Sequence, residues 1–515
     1  VYNLTLGLLA EKGRYEQAFH YTERAKARAL LDLLSLDRVD ITEGISPELL
    51  AKNKALESRL NKIQQNLFDE NSKPKSVQNM KLMATLEDSL KRIRSEHEEI
   101  LREIELNHSR YATLTGVKEP LTLKEVQERV LDDGVALIEY MVGEDGTIAW
   151  VVREKTIEYE NIEINRAELD SLVKQWRQPF KDVKEGKIDN LADVRFDAKL
   201  SHELYRRIFR PLEKHLQRGD ALVIVPDGRL HYLPFEALIS KVEEKEYDKR
   251  IVFSEYEDVH YLVEKYPISY GPSASILDPE LKRPRVEADE WGKLLAFGNP
   301  DFGKAGEREG RDNFLSLLIR DSKGWVFNPL PKSEEEIDEI TLTIKPSEKF
   351  LRQEAKEEYF KQRAGNFEMI HLATHGILEE KQPLYSRIVF AQDDDPTEDG
   401  FLQTYEIFNL PLNADLVVLS ACETGLGELS QGEGLIGLTR AFMYAGAASV
   451  LVSLWSVEES TSRLMRDFYR NLKEGMTKTE ALRRAKIKLI HTRESGMSYA
   501  HPFLWAPFVL MGEGR

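Results

Sequence analysis

The chain has 515 residues, 41% of them hydrophobic and 31% charged, too many for one hydrophobic core, so two or three globular domains are expected. Its formal charge of −17 argues against a general nucleic-acid surface, which draws on clustered Lys and Arg, and favours a neutral or basic protein partner. A single cysteine excludes an internal disulfide and a multi-thiolate metal site, and no apolar run reaches the roughly eighteen residues of a membrane span; a cytoplasmic protein without cofactor or membrane contact is expected.

Residues 8–36 read as helix, with Gly13, Ala18, Tyr21 and Ala25 supplying small and aromatic side chains where two helices pack closely. This resembles the tetratricopeptide repeat, and residues 1–42 are read as the end of a repeat array that recruits an activating protein partner. Stacked repeats need about three units and the chain opens on Val1 rather than Met, so upstream repeats are expected; a plain helical hairpin is the alternative. Residues 43–118 read as an antiparallel coiled-coil hairpin. Leu49, Asn53, Leu56, Leu60, Ile63 and Leu67 form one seam, Leu86, Leu90, Ile93, His97, Ile100 and Ile104 the other, and Pro74 lies in the polar connection. His97 on that seam is read as a core residue, not a ligand.

From residue 119 the texture changes to short apolar runs joined by helices. VALIEYMV (135–142) and TIAWVV (147–152) flank GEDG as a hairpin, and further runs cover 221–227, 293–301, 367–376, 415–425 and 448–455. Nearly continuous apolar strands joined by helices imply a mainly parallel sheet covered on both faces, with a ligand site outside the carboxyl ends of the strands. Residues 119–290 are read as one part of this α/β region and 291–515 as its catalytic part. The charged segment 301–313 is expected to be an exposed insertion, and the acids of 391–400 a solvated turn, because they lack the alternating ligands of a calcium loop.

Two of these runs end in reactive side chains. Phe367–Ala373 leads into Thr374-His375-Gly376, and 47 residues after His375 the run 416–419 leads into Ser420-Ala421-Cys422-Glu423-Thr424-Gly425. Both tips are expected on the same edge of one sheet. There an imidazole can deprotonate a thiol for attack on a carbonyl carbon, then protonate the leaving amine. Gly376 and Gly425 leave room for backbone N–H groups to face an oxyanion, and the N–H groups of Gly376 and Cys422 are assigned to that hole. A Cys in a Gly-bounded tip with its His about fifty residues upstream is the caspase layout. His371 is read as buried structure, and the alternative for Cys422 is a small core residue. Neither a G-x-S-x-G elbow nor a phosphate-binding P-loop is present.

HLATHG and VVLSACETGLG, with PDGRLHYLPFEAL, GPSAS, LLAFGNPDF, LPKSEEEIDEI and SLWSVEESTS, separate motifs that fall in the right order over roughly residues 120–515, resemble the CHAT family of caspase-like domains, kin to separase and associated with tetratricopeptide repeats. The resemblance implies an α/β caspase-like fold, a mainly parallel sheet flanked by helices, behind an all-α repeat and coiled-coil region. It implies a partner-regulated cysteine endopeptidase with His375 and Cys422 as its dyad and a protein or peptide as substrate. It further implies that residues 449–457 lie beside the substrate by strand addition, with Ser420, Ser453 and Trp455 at the pocket. Glu458 or Glu459 would then be a counter-charge for a basic residue, the alternative being a helix N-terminal cap. The competing function is an inactive caspase-like adaptor that binds partners through its helices.

Overall fold

A computed structural model of the chain describes residues 9, 12–36, parts of 52–70, 79–107, 120–242, 247–278, 292–302, 318–321, 324–379, 383–392, 398–420, 422–423, 433–455 and 458–515. Residues 303–313 of the charged insertion, 393–397 of the acidic turn and Gly425 lie outside them. Eleven strands in chain order form the large sheet: β1 (Val135–Val142), β2 (Thr147–Arg153), β3 (Thr156–Ile162), β4 (Ala221–Val225), β5 (Ile268–Tyr270), β6 (Leu294–Pro300), β7 (Ser347–Arg352), β8 (Met369–Ala373), β9 (Leu416–Leu419), β10 (Ser449–Ser453) and β11 (Phe508–Gly512). In space they run β7-β6-β8-β9-β10-β11-β5-β4-β1-β2-β3.

Two parallel blocks make up this sheet. One is β7, β6, β8, β9 and β10, the other β11, β5, β4 and β1. They meet where β11 runs antiparallel to β10, with Val450 opposite Met511, so the final strand of the chain joins the blocks into one sheet. The hairpin of β1 and β2 closes at Gly143, whose N–H donates to the Gly146 carbonyl at 2.9 Å, and β3 extends it. Apart from β7 at the sheet edge, whose residues are exposed or half-buried, the strands of the parallel blocks are largely buried, as helices on both faces require.

Helix α1 (Tyr15–Leu36) follows a turn at Gly13, whose φ of +70° suits glycine. It docks on the α/β body through buried polar contacts. The Glu23 carboxylate accepts from the N–H groups of Ala274 (3.0 Å) and Ser275 (2.7 Å) and from the Ser275 hydroxyl. One turn on, Lys26 Nζ donates to the carbonyls of Val225 and Pro226 and lies 3.4 Å from Glu139 of β1. Burial and the neighbouring Glu23 push the Glu139 carboxyl well above the usual carboxylate range. Helix α2 (Met80–Asn107) carries the second predicted seam. Its partner arm is antiparallel, because Glu70 accepts from Asn79 N–H at 2.7 Å while Arg59 lies 3.9 Å from Glu96, and Leu60 and Ile93 are buried. His97 is buried, its ring edge against Tyr405 at 6.3 Å, and burial lowers it to about 4, as a core residue requires.

Other helices clothe the sheet: α3 (Arg166–Lys184), α4 (Pro331–Thr343), α5 (Glu357–Arg363), α6 (Glu433–Ala445), α7 (Glu458–Lys473) and α8 (Lys478–Ile490). Pro331 opens α4 at its first turn, where its missing N–H has no partner to lose. The core is continuous across the two blocks: Trp176 and Phe180 of α3 pack against Trp455 and Phe503 from the far end of the chain. Among the described residues, no helix is long and apolar enough to cross a membrane.

Candidate active site

The site is built by two strands that pair twice. In the large sheet β8 lies parallel to β9, with Leu372 opposite Leu419. Beyond their ends both segments enter a second, four-stranded sheet in the order Phe401–Gln403, Arg387–Val389, His375–Ile377, Cys422–Glu423. There His375 stands opposite Cys422 and Gly376 opposite Glu423, again in parallel. Neighbouring strands run about 4.8 Å apart, so the two backbones are in contact. The sequence pattern placed the pair at the tips of one sheet edge; instead each residue opens a strand of a second sheet. The transition falls at Thr374, whose hydroxyl donates to the Val389 carbonyl at 2.5 Å and ties the turn to the small sheet.

His375 is 0% exposed and sits between Phe302 and Phe327, ring centroids 5.0 and 5.5 Å away. Its Nε2 lies 2.8 Å from the Asn328 carbonyl oxygen, which makes Nε2–H the donor and leaves Nδ1 as the lone-pair nitrogen. Nδ1 is buried without a hydrogen-bond partner among the described residues. Burial lowers this imidazole from 6.5 to about 4, and the Asn328 hydrogen bond opposes the shift only in part. The ring is therefore neutral at pH 7. Asn328, Phe302 and Phe327 escaped the sequence reading because backbone carbonyls and ring walls carry no motif; the nearest signals were LLAFGNPDF and the Pro that opens α4.

Beneath the pair lies a second polar group. His371, at the centre of β8, is 0% exposed, with Nδ1 3.0 Å from the Tyr469 hydroxyl of α7. Its Nε2 lies 2.9 Å from Glu336 Oε1 of α4, close but off the line of a good hydrogen bond. The other oxygen of Glu336 accepts from the Ser420 hydroxyl at 3.3 Å. Ser420 thus turns toward Glu336.

The residues assigned to substrate are spread out. Ser453 donates to its neighbour Trp455's carbonyl at 2.6 Å. Trp455 is 5% exposed, its ring covered by Phe180 at 4.5 Å and its Nε1 donating to the Phe503 carbonyl at 2.9 Å. The expectation that a peptide adds along 449–457 is corrected for its strand portion: Ser449–Ser453 is paired on both edges, by β9 and β11, so no peptide can add there. Glu458 and Glu459 are the first two residues of α7. Gly376 lies inside the small sheet between Glu423 and Ile388.

Of the acidic turn, Glu398 joins Glu357 and Glu406 around Lys361, whose Nζ lies 2.6, 2.8 and 2.7 Å from them. The three carboxylates could hold a cation, but the ammonium already occupies their centre. Burial, with Glu406 beside each, raises the Glu357 carboxyl well above its usual range and the Asp399 carboxyl to about 7.

Residues 198–513 match the family described as CHAT domain. Tetratricopeptide repeat protein 28 of Mus musculus is 25% identical over 353 residues, which cover 60% of this chain and 13% of that protein. The Homo sapiens protein of the same name is also 25% identical over 353 residues, with the same coverage. The chain thus spans 13% of the length of these relatives. The crystal structure of the Saccharomyces cerevisiae separase–securin complex is similar at a TM-score of 0.42 and 11% identity, covering 99% of this chain and 37% of that one.

Proposed function

Since the chain belongs to the CHAT domain family, we propose that it is a caspase-like cysteine endopeptidase with Cys422 as nucleophile and His375 as acid and base, held closed until a protein partner acts on its helices. One observation carries this reading: His375 stands in register with Cys422 while its Nδ1 has no hydrogen-bond partner among the described residues and its Nε2 is held by the Asn328 carbonyl. A base needs its lone pair free and its opposite nitrogen anchored.

In this mechanism Nδ1 takes the thiol proton, and the sulfur attacks the carbonyl carbon of the scissile peptide. The N–H groups of Gly376 and Cys422 receive the oxyanion. Collapse expels the amine, which takes its proton from the imidazolium, and leaves a thioester. His375 then draws a proton from water, which hydrolyses the thioester and restores the thiol. Side chains that contact the peptide are sought among Ser420, Ser453, Trp455, Glu458 and Glu459, with the backbone after Ser453 as the docking edge.

Regulation is supported by the burial of His375. A base pushed to about 4 is poorly matched to neutral pH, and exposing the ring would raise it toward its ordinary value. A partner engaging α1 or the coiled-coil hairpin is proposed to supply that opening; the contacts of Glu23, Lys26 and His97 connect these helices to the α/β body. A cytoplasmic setting fits a chain with one free thiol.

The test is labelling with a panel of peptidyl acyloxymethyl ketones, adducts being mapped by mass spectrometry, together with fragment analysis of a cell extract. An adduct at Cys422 that is lost in His375→Ala, and fragments lost in Cys422→Ala, are expected. Extract fragments identical in native protein and Cys422→Ala, with no adduct under any condition, would instead establish the adaptor reading.

A further inference from the structure

We propose that Glu336 is a positioning residue whose carboxylate ties the strand carrying His375 to the strand carrying Cys422 and so holds the two reactive residues in register. The inference rests on the dyad reading above and names the group that sets its geometry. Glu336 is buried, in the second turn of α4, and each of its oxygens faces a different catalytic segment. Oε1 meets His371, four residues before His375, and Oε2 meets Ser420, two before Cys422. Oε2 accepts the Ser420 hydroxyl while Oε1 makes a close contact, 2.9 Å, with His371 Nε2, so one two-oxygen side chain reaches both segments at once.

The segment that leads into the same helix also reaches the imidazole. Asn328, whose carbonyl fixes His375, lies three residues before α4 begins. That start is pinned: the Asn299 side chain accepts from Leu330 N–H at 2.8 Å and donates to Glu334 at 3.1 Å, and Asn299 N–H donates to the Ser333 hydroxyl at 2.9 Å. A single rigid element therefore presents both the carbonyl that selects the tautomer and the carboxylate that links the strands. Tyr469 completes the arrangement. Its hydroxyl, pushed well up by burial and the Glu336 charge, lies 3.0 Å from His371 Nδ1 and holds that ring beside Glu336.

The chain has one cysteine, so alkylation by iodoacetamide reads Cys422 alone and needs no substrate. Rates at neutral pH are compared for wild type, His375→Ala, Glu336→Gln, Ser420→Ala and the double variant His375→Ala/Glu336→Gln, each with its melting temperature. His375→Ala is expected to slow alkylation, and Glu336→Gln to slow it by about tenfold to a hundredfold, the scale of a misplaced reacting group. Because Glu336 acts through the pairing of His375 with Cys422, the double variant should be no slower than His375→Ala. Ser420→Ala, which removes one donor and leaves the carboxylate, keeps the test open should Glu336→Gln not fold, and is expected to slow alkylation as well. If His375→Ala slows the reaction while Glu336→Gln and Ser420→Ala do not, or if the effects add in full, positioning by Glu336 is overturned and the dyad survives. If His375→Ala itself changes nothing, the dyad reading falls first.

Discussion

The carbonyl oxygen of Asn328 lies 2.8 Å from His375 Nε2, and the opposite nitrogen of that ring has no hydrogen-bond partner among the described residues. This fixes one neutral tautomer, and ring ¹⁵N NMR should find Nε2–H with a bare Nδ1 at neutral pH and a midpoint near 4. The folded value is below the ordinary 6.5, so the neutral ring contributes its full share of stability above 6.5 and loses it as pH falls toward about 4. Relative to a His375→Asn variant, wild type should lose roughly 3 kcal/mol more across that window, each unit being about 1.4 kcal/mol. A Nδ1–H tautomer, or a midpoint at the ordinary value, would contradict the buried geometry.

Lys361 brings one positive charge to three carboxyl groups, and Lys361→Met removes it from among Glu357, Glu398 and Glu406. A cost of about 3–5 kcal/mol is expected, as for removal of one partner from a buried ion pair. Carboxyls whose folded values are raised lose stability as pH rises through the window between their unfolded and folded values, so the deficit should be larger at about pH 8 than at about pH 5. Melting curves of both proteins at the two pH values check this. An equal deficit at both would show that the carboxylates are not the source.

Glu23 fastens α1 to the turn at Ala274 and Ser275. Glu23→Ala strands two buried N–H groups, at about 1–3 kcal/mol each, and should release α1 before the rest unfolds. Hydrogen exchange is the readout: the amides of residues 274 and 275 and of α1 should lose protection together, while β8 and β9 keep theirs. Protection lost everywhere at once would mean that α1 is not a separable lever.

What the sequence could show was set by how locally each feature is encoded. The runs at 135–142, 221–227 and 448–455 are apolar enough to announce themselves, and the motif tips delivered His375 and Cys422. Strand β3 alternates Glu with apolar residues at a sheet edge, and β7 is half charged, so neither has the profile of a buried parallel strand. Strand β11 was hidden for another reason. It is apolar, but its place antiparallel to β10 and parallel to β5 depends on distant pairings such as Met511 with Tyr270, which no local window contains. The Asn328 carbonyl and the Glu336 bridge belong to this second kind, being contacts between distant segments.

Trp455 distinguishes core from pocket. As a pocket wall it would meet substrate, and its loss would change which peptide electrophiles react at Cys422. In the structure its ring stacks on Phe180 and its Nε1 donates to Phe503, joining α3 to the far end of the chain. Trp455→Ala should therefore cost about 3–5 kcal/mol, the range for emptying a large aromatic site. Trp455→Phe keeps a ring against Phe180 and gives up only the hydrogen bond, so about 1 kcal/mol beyond repacking is expected. Denaturant melts of both variants, with labelling of the folded Trp455→Phe protein by the panel of peptidyl acyloxymethyl ketones, separate the two roles. Large destabilisation with unaltered labelling places the indole in the core; unaltered stability with a changed peptide preference returns it to the substrate side.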